Sequence, residues 1–195
     1  IIHKSKNFNI NKNLYEILFN LQHRGQHSSG FIIYNKNNNK TKCCKEFGLV
    51  ENNLNKLSKF EGNMGIGHVR YPTQGNKSKK EIQPFYSNKF DGISLCHNGN
   101  IINVTHIRNT LNNNNSSSSD SELLLEYFIF FMSNYILSID ELNDEIIEKI
   151  VKNIYDNIHG SYSVIIMINS YGLIVFRDIY GIRPLSYNIK DDYIE

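Results

Sequence analysis

The sequence predicts an α+β domain in which sheets and helices stack as layers. Three observations predict it: helical apolar spacing is confined to three stretches, β-rich apolar runs fill the rest, and turn chemistry joins neighbouring runs as hairpins. Leu14, Ile17, Leu18 and Leu21 recur at helical spacing after Asn11 and Asn13, either of which can cap, and the pattern stops at Gly25. Phe31 to Tyr34 and Thr41 to Phe47 flank an Asn/Lys-rich stretch, which suits a hairpin; Met64 to Tyr71 and Ile93 to Cys96 are further strands. Ser121 to Met132 and Glu141 to Ile158 carry helical spacing, the second with Ile146, Ile147, Ile150, Val151 and Ile154 on one side. Tyr162 to Ile168 and Leu173 to Phe176 then close on Asn169-Ser170-Tyr171-Gly172, a hairpin turn. The order helix, strands, helices, strands implies segregated layers rather than a βαβ sheet.

Composition narrows the function classes. With 195 residues, 40% hydrophobic and 21% charged, the chain suffices for one domain with a sizeable core. Its net charge is +2 with mixed signs, so no basic stripe is available to neutralise nucleic-acid phosphates. Cys43 and Cys44 are adjacent and Cys96 stands alone, without metal-ligand spacing, which argues for a reducing compartment and against zinc. The most apolar stretch, Leu123 to Ile139, is interrupted by Glu126, Ser133, Asn134 and Ser138 and reads as a buried helix rather than a membrane span. No signal segment opens the chain, so a cytoplasmic location is expected. The asparagine runs at 37–39 and 112–115, the latter followed by serines, read as solvated loop tips.

Four polar clusters fall at the ends of predicted elements: Gln22-His23-Arg24-Gly25-Gln26, the stretch from Gly67 to Gly75, His97-Asn98-Gly99-Asn100, and Ser119-Asp120-Ser121-Glu122. Arg70 could hold an α-carboxylate and Asp120 an ammonium, a pair complementary to a free amino acid. An Asn amide beside a Gly backbone N–H, as in Asn98-Gly99, is one way to build an oxyanion hole. Each residue also has an ordinary role when taken singly. Arg70 suits a surface salt bridge, Asp120 a helix N-cap, and Asn98-Gly99 a plain hairpin turn; His23, His68 and His97 suit buried hydrogen-bonding positions.

Taken together, LQHRGQHSSG at 21–30, GHVRYPTQG at 67–75, QPF at 83–85, HNGN at 97–100 and SDSE at 119–122 resemble the class II glutamine amidotransferases over nearly the whole chain. LQHRGQ, RYPT and FRDIYGIRPL at 176–185 resemble the amidophosphoribosyltransferase branch of that family more than the glucosamine-6-phosphate synthase branch. The resemblance implies a four-layer αββα N-terminal-nucleophile hydrolase sandwich of two antiparallel sheets. It also implies glutamine hydrolysis, with the ammonia converting phosphoribosyl pyrophosphate to 5-phosphoribosylamine in purine synthesis. Arg70 would bind the glutamine carboxylate, Asp120 its amino group, and Asn98 with Gly99 would form the oxyanion hole. A glutamine loop from Tyr71 to roughly Pro84, which includes Thr73, would close over substrate, with Arg24 and Tyr71 coupling closure to a partner domain. No cofactor or metal is implied for this chain; Mg²⁺ is implied for a C-terminal phosphoribosyltransferase domain outside it. A homo-oligomer is expected, without nucleic-acid or membrane partners.

Departures from the family pattern set the remaining expectations. The family's mature chain opens Cys-Gly, and alignment of LQHRGQ places Ile1 and Ile2 at its third and fourth positions, so a Cys-Gly pair carrying the nucleophile is expected just before Ile1. Without it the 195-residue chain is expected to bind glutamine but not cleave it. A binding or regulatory module that lacks the nucleophile is the alternative, and a structural domain with Asn-rich insertions is a third. His3 stands where the family has glycine, and His27 where an acidic residue is usual.

Overall fold

A computed structural model describes residues 1–5, 8–71, 78–112 and 119–195. In chain order its elements are β1 (Ile2–His3), α1 (Asn11–Asn20), β2 (Ser28–Asn35), β3 (Lys40–Phe47), α2 (Leu54–Leu57), β4 (Met64–Arg70), β5 (Phe85–Ser87), β6 (Ile93–Ile101), α3 (Val104–Thr110), α4 (Asp120–Tyr135), α5 (Asp144–Asn157), β7 (Gly160–Ile168), β8 (Gly172–Arg177) and β9 (Tyr193–Ile194). The backbone groups into two compact units, one of residues 1–84 with 186–195 and one of residues 85–185.

The first unit holds a five-stranded antiparallel sheet in the order β3-β2-β4-β1-β9. Its centre is β2, buried along nearly its whole length, as expected of a strand covered on both faces. Leu14 and Leu18 of α1 join Phe31, Ile33, Val50 and Leu57 in the core of this unit. Leu18 can settle on β4 because Gly67 offers no side chain beneath it: a Cβ there would stand 2.7 Å from Leu18 Cδ1. The expected caps are not used. Ile10 occupies the cap position, and Asn11 instead donates through Nδ2 to the carbonyls of Leu57 (2.9 Å) and Phe60, tying the helix start to α2. Leu21, placed on the apolar face by its spacing, is 44% exposed, since the helix gives way to a 3₁₀ turn over Gln22–Arg24 before Gly25. The 37–39 asparagines form the β2–β3 turn, as read from the sequence, and Tyr34 closes it with a hydrogen bond to Asn39 Oδ1 at 3.0 Å. The departures at His3 and His27 are accommodated locally. His3 is buried and stacks on Phe8 at 3.8 Å, and His27 meets the edge of Phe47 at 5.4 Å.

The second unit holds a four-stranded antiparallel sheet in the order β5-β6-β7-β8. Its core joins Leu95, Ile101, Val164 and Ile166 of the strands to Leu124, Phe128 and Met132 of α4 and to Ile150 and Ile154 of α5. Helix α4 is therefore the buried helix that its composition predicts. Ile150 and Ile154 carry the apolar face of α5, while the helix starts at Asp144, later than its spacing suggests, because Asn143 caps it by accepting from Ile146 N–H at 3.1 Å. The longest difference is β6. The sequence suggests a strand of four residues ended by an Asn-Gly turn, yet the strand runs on to Ile101, with Asn98 opposite Ser163 and Gly99 opposite Tyr162. Nine residues of β7 face it, and the ladder outweighs the local turn preference of Asn98-Gly99.

After β8 the chain turns on Asp178, a buried carboxylate. Its oxygens accept from the backbone N–H groups of Tyr162 (3.2 Å), Tyr180 (3.1 Å) and Ile182 (3.2 Å). Ser163 then donates to the carbonyls of Arg183 and Pro184, both at 3.2 Å. The FRDIYGIRPL segment is thereby folded against β7 at the residue that faces Asn98. Burial alone would push the Asp178 carboxyl upward; the N–H groups of Ile182, Tyr162, Tyr180 and Arg183 outweigh it and hold the pKa below the ordinary carboxylate value. A depressed folded pKa stabilises the fold above the unfolded value of about 4 and loses that contribution as pH falls through the folded one. Asp178→Ala is expected to cost about 2–4 kcal/mol at pH 7 by thermal or denaturant unfolding, and the difference from the parent should shrink below about pH 4.

Candidate functional site

In the first unit the candidate residues gather around the end of β4. Arg70 is its last residue, opposite Ser28 of β2. Its backbone carbonyl accepts from His27 N–H at 3.0 Å. Gly25 lies flat against the same peptide: a Cβ there would stand 2.5 Å from Arg70 C and 2.7 Å from Arg70 N, so only glycine permits the approach. Gln22 holds the turn in place, donating to the Gly25 carbonyl and accepting from Val50 N–H at 2.6 Å. The LQHRG segment is thus a cradle for the Arg70 backbone, a role its residue types alone did not disclose.

The Arg70 guanidinium donates through Nη2 to Glu81 Oε2 at 2.9 Å, with each side chain 18% exposed. This is a partly buried pair, deeper than the surface salt bridge that a strand-end arginine suggests. Glu81 ends a 3₁₀ turn over Lys79–Glu81, where Ser78 accepts from Lys80 N–H at 3.2 Å and Lys79 pairs with Glu46 of β3 at 2.9 Å. Gly30 of β2 receives the next residues, since a Cβ on it would stand 2.2 Å from the Gln83 carbonyl oxygen. Glu81 had no distinguishing signal in the sequence: its link to Arg70 spans 11 residues and depends on this turn. Thr73 and the rest of 72–77 lie outside the described residues. Tyr71 is 72% exposed and Arg24 is exposed. His23 and His68 differ from the expected buried positions: His23 is exposed, with Nδ1 2.9 Å from the Asn20 carbonyl, and His68 is half-buried.

In the second unit the remaining candidates sit on β6 and the first turn of α4. Strand alternation turns His97 into the core and Asn98 out to the surface. The same alternation sets Cys96 and His97 on opposite faces of the strand. Gly99 follows on the His97 side, where a Cβ would stand 2.7 Å from His97 Nε2 and 1.9 Å from the Ser161 carbonyl oxygen. Asp120 is the first residue of α4 rather than its cap, the cap position being Ser119. Its carboxylate bridges to the strand: Oδ2 accepts from Ile101 N–H at 3.1 Å, and Oδ1 accepts from Ser121 Oγ at 3.2 Å. Its side chain is 27% exposed, so the anchored carboxylate still presents lone pairs outward. His97 Nδ1 lies 2.9 Å from Ser121 Oγ. Burial lowers the His97 pKa, opposed in part by Asp120 and assisted by Arg183, so the ring is neutral near pH 7.

These residues supply a fixed carboxylate at a helix start, an exposed Asn amide beside a glycine backbone, and an arginine whose backbone is cradled. The thiols supply no evident nucleophile. Cys44 is buried, its pKa raised by that burial, and its thiol donates to Asn53 Oδ1 at 3.4 Å; Cys96 is also buried, and Cys43 sits on an exposed strand position. Among the described residues no group of three or more His, Cys, Asp or Glu could hold a metal ion.

Comparison with known proteins places this geometry in a family. The glutamine amidotransferase domain profile matches residues 68–194. The amidophosphoribosyltransferase of Schizosaccharomyces pombe is 39% identical over 182 residues, covering 91% of the chain and 34% of that protein. The Escherichia coli amidophosphoribosyltransferase is 39% identical over 191 residues, covering 93% of the chain and 37% of that protein. Among solved structures, glutamine phosphoribosylpyrophosphate amidotransferase from Bacillus subtilis, complexed with ADP and GMP, superposes with a TM-score of 0.73 at 29% identity, covering 94% of the chain and 38% of that one. Two antiparallel sheets with helices match these N-terminal-nucleophile amidotransferase structures, as the sequence predicts. The chain spans little more than a third of the length of the relatives it matches. By its sheets, its strand-borne HNGN segment and the profile over residues 68–194, the chain belongs to the glutamine amidotransferase domain family.

Proposed function

We propose that this chain is the glutamine-binding part of an amidophosphoribosyltransferase, in which glutamine and water give glutamate and ammonia, and the ammonia replaces the pyrophosphate of phosphoribosyl pyrophosphate to form 5-phosphoribosylamine. The observation that carries the reading is the anchoring of Asp120 by β6: the strand that presents Asn98 and Gly99 also fixes, through Ile101 N–H, the carboxylate that would receive the substrate ammonium. Amide attack builds negative charge on one oxygen, and the Asn98 side-chain amide with the Gly99 backbone N–H is the donor pair suited to it. A donor carried on a nine-residue strand is preorganised, so little reorganisation is needed as charge develops.

Arg70 would bind the substrate α-carboxylate. Its guanidinium carries five N–H donors in a planar fork, and Glu81 engages Nη2. Thr73 and Tyr71 would line the closing loop, and Arg24 would help couple closure to the phosphoribosyltransferase part, where Mg²⁺ would be bound. None of Cys43, Cys44 and Cys96 serves as the nucleophile in this reading, since Cys44 and Cys96 are buried and Cys43 lies on β3. Relatives named as amidophosphoribosyltransferases, matched over nine-tenths of the chain, support the branch within the family.

Two outcomes test the assignments in the full-length protein. Arg70→Ala should lower glutamine-dependent kcat/KM by about 30-fold or more while ammonia-dependent phosphoribosylamine formation survives. Equal loss of both activities would remove Arg70 from glutamine binding. Asn98→Ala should lower glutamine-dependent kcat by about 100- to 1,000-fold with a much smaller change in KM. A rise in KM at unchanged kcat would show that Asn98 serves ground-state binding instead.

A further inference from the structure

A neutral, buried imidazole sits beneath the two features just assigned, and the mechanism above gives it no task. His97 is 3% exposed, on the core side of β6 between Cys96 and Asn98. One edge of its ring faces the first turn of α4, with Nδ1 2.9 Å from Ser121 Oγ. The other edge faces the backbone of Gly99, where Nε2 lies 2.7 Å from the position a Cβ would take. The ring therefore touches the segment that carries Asp120 and the residue that carries the backbone oxyanion donor.

The direction of the hydrogen bonds follows from proton counting. A serine hydroxyl has one proton, and Ser121 donates it to Asp120 Oδ1 at 3.2 Å, because an ionised carboxylate can only accept. With that proton donated to Asp120, the 2.9 Å contact between Ser121 Oγ and His97 Nδ1 is made by the tautomer that carries its proton on Nδ1. Because Ile101 N–H fixes Oδ2, the two contacts together set both the position and the rotation of the carboxylate.

We propose that His97 is a positioning residue that orients the Asp120 carboxylate through Ser121 and backs the Gly99 peptide with its Nε2 edge, so that ammonium recognition and oxyanion stabilisation are aligned by one ring. This rests on the roles given above to Asp120 and Gly99. It makes no use of His97 as an acid or a base, so the glutamine-dependent rate should show no titration attributable to this histidine.

Steady-state kinetics with glutamine in the full-length protein test the proposal, using Ser121→Ala, His97→Asn, His97→Leu and Asp120→Ala. Ser121→Ala removes the relay with little change of volume in the first turn of α4 and is expected to raise KM for glutamine about tenfold, with kcat within about threefold. His97→Leu should raise KM and also lower kcat, because Gly99 loses its support. His97→Asn, whose amide can donate where Nδ1 does, should bring KM back toward the parent value. Adding Ser121→Ala to His97→Leu should raise KM no further, since both changes break one relay. If Asp120→Ala raises KM for glutamine while Ser121→Ala leaves it unchanged, the role of His97 fails and Asp120 keeps its own. If neither change moves KM, the assignment of Asp120 fails and His97 falls with it. Should His97→Leu not fold, Ser121→Ala and His97→Asn still decide the matter.

Discussion

Asp120 opens a helix and at the same time belongs to the end of a strand. Its carboxylate takes Ile101 N–H on one oxygen and Ser121 on the other, and the first of these ties the start of α4 to β6. A negative side chain at a helix start is favourable in its own right, by roughly 0.3–1 kcal/mol, because the first N–H groups lack partners. Here that local preference is joined to a tertiary bond. Leu124, Phe128 and Met132 then bury the rest of the helix in the core formed with β6 and β7. Asn98 and Gly99 owe their placement to the same strand, and the Asp178 carboxylate braces that strand's neighbour from behind through Tyr162 N–H.

Glycine does for Arg70 what carboxylates do in the second unit. Gly25 lets one turn lie on the Arg70 peptide, and Gly30 admits the Gln83 carbonyl against β2. Neither position requires a special backbone angle of its own; each requires an absent side chain. The charged partner, Glu81, arrives on a turn held by Lys79 and Glu46. The arginine is thereby fixed at its backbone by packing and at its head by charge, which is the arrangement that loses least entropy when a carboxylate ligand binds.

Much of this was legible in the sequence because it rested on periodicity. The face of α1 made by Leu14 and Leu18, that of α5 made by Ile150 and Ile154, and the two hairpins follow from spacing and turn residues that sit within a few positions of one another. Asn98-Gly99 misled for the complementary reason: the local signal for a turn is strong, while the ladder that keeps both residues in β6 comes from β7, more than 60 residues on. Asn11 misled in the same way, since its side chain serves Leu57 and Phe60 rather than its own helix end. Among the site residues, Arg70, Asp120, Asn98 and Gly99 stood out by chemical type. Glu81 and the linkage of His97 to Ser121 did not, because each depends on which segment the fold brings alongside.

Asp120, fixed by Ile101 N–H, is the residue proposed to receive the ammonium of glutamine. Calorimetric titration of the 195-residue chain with L-glutamine, and in parallel with its analogue lacking the α-amino group, tests that role most directly. L-glutamine should bind, with the analogue at least about tenfold weaker, a gap that closes in Asp120→Asn. Equal binding of the two compounds, or no binding of L-glutamine by a folded chain, would contradict it.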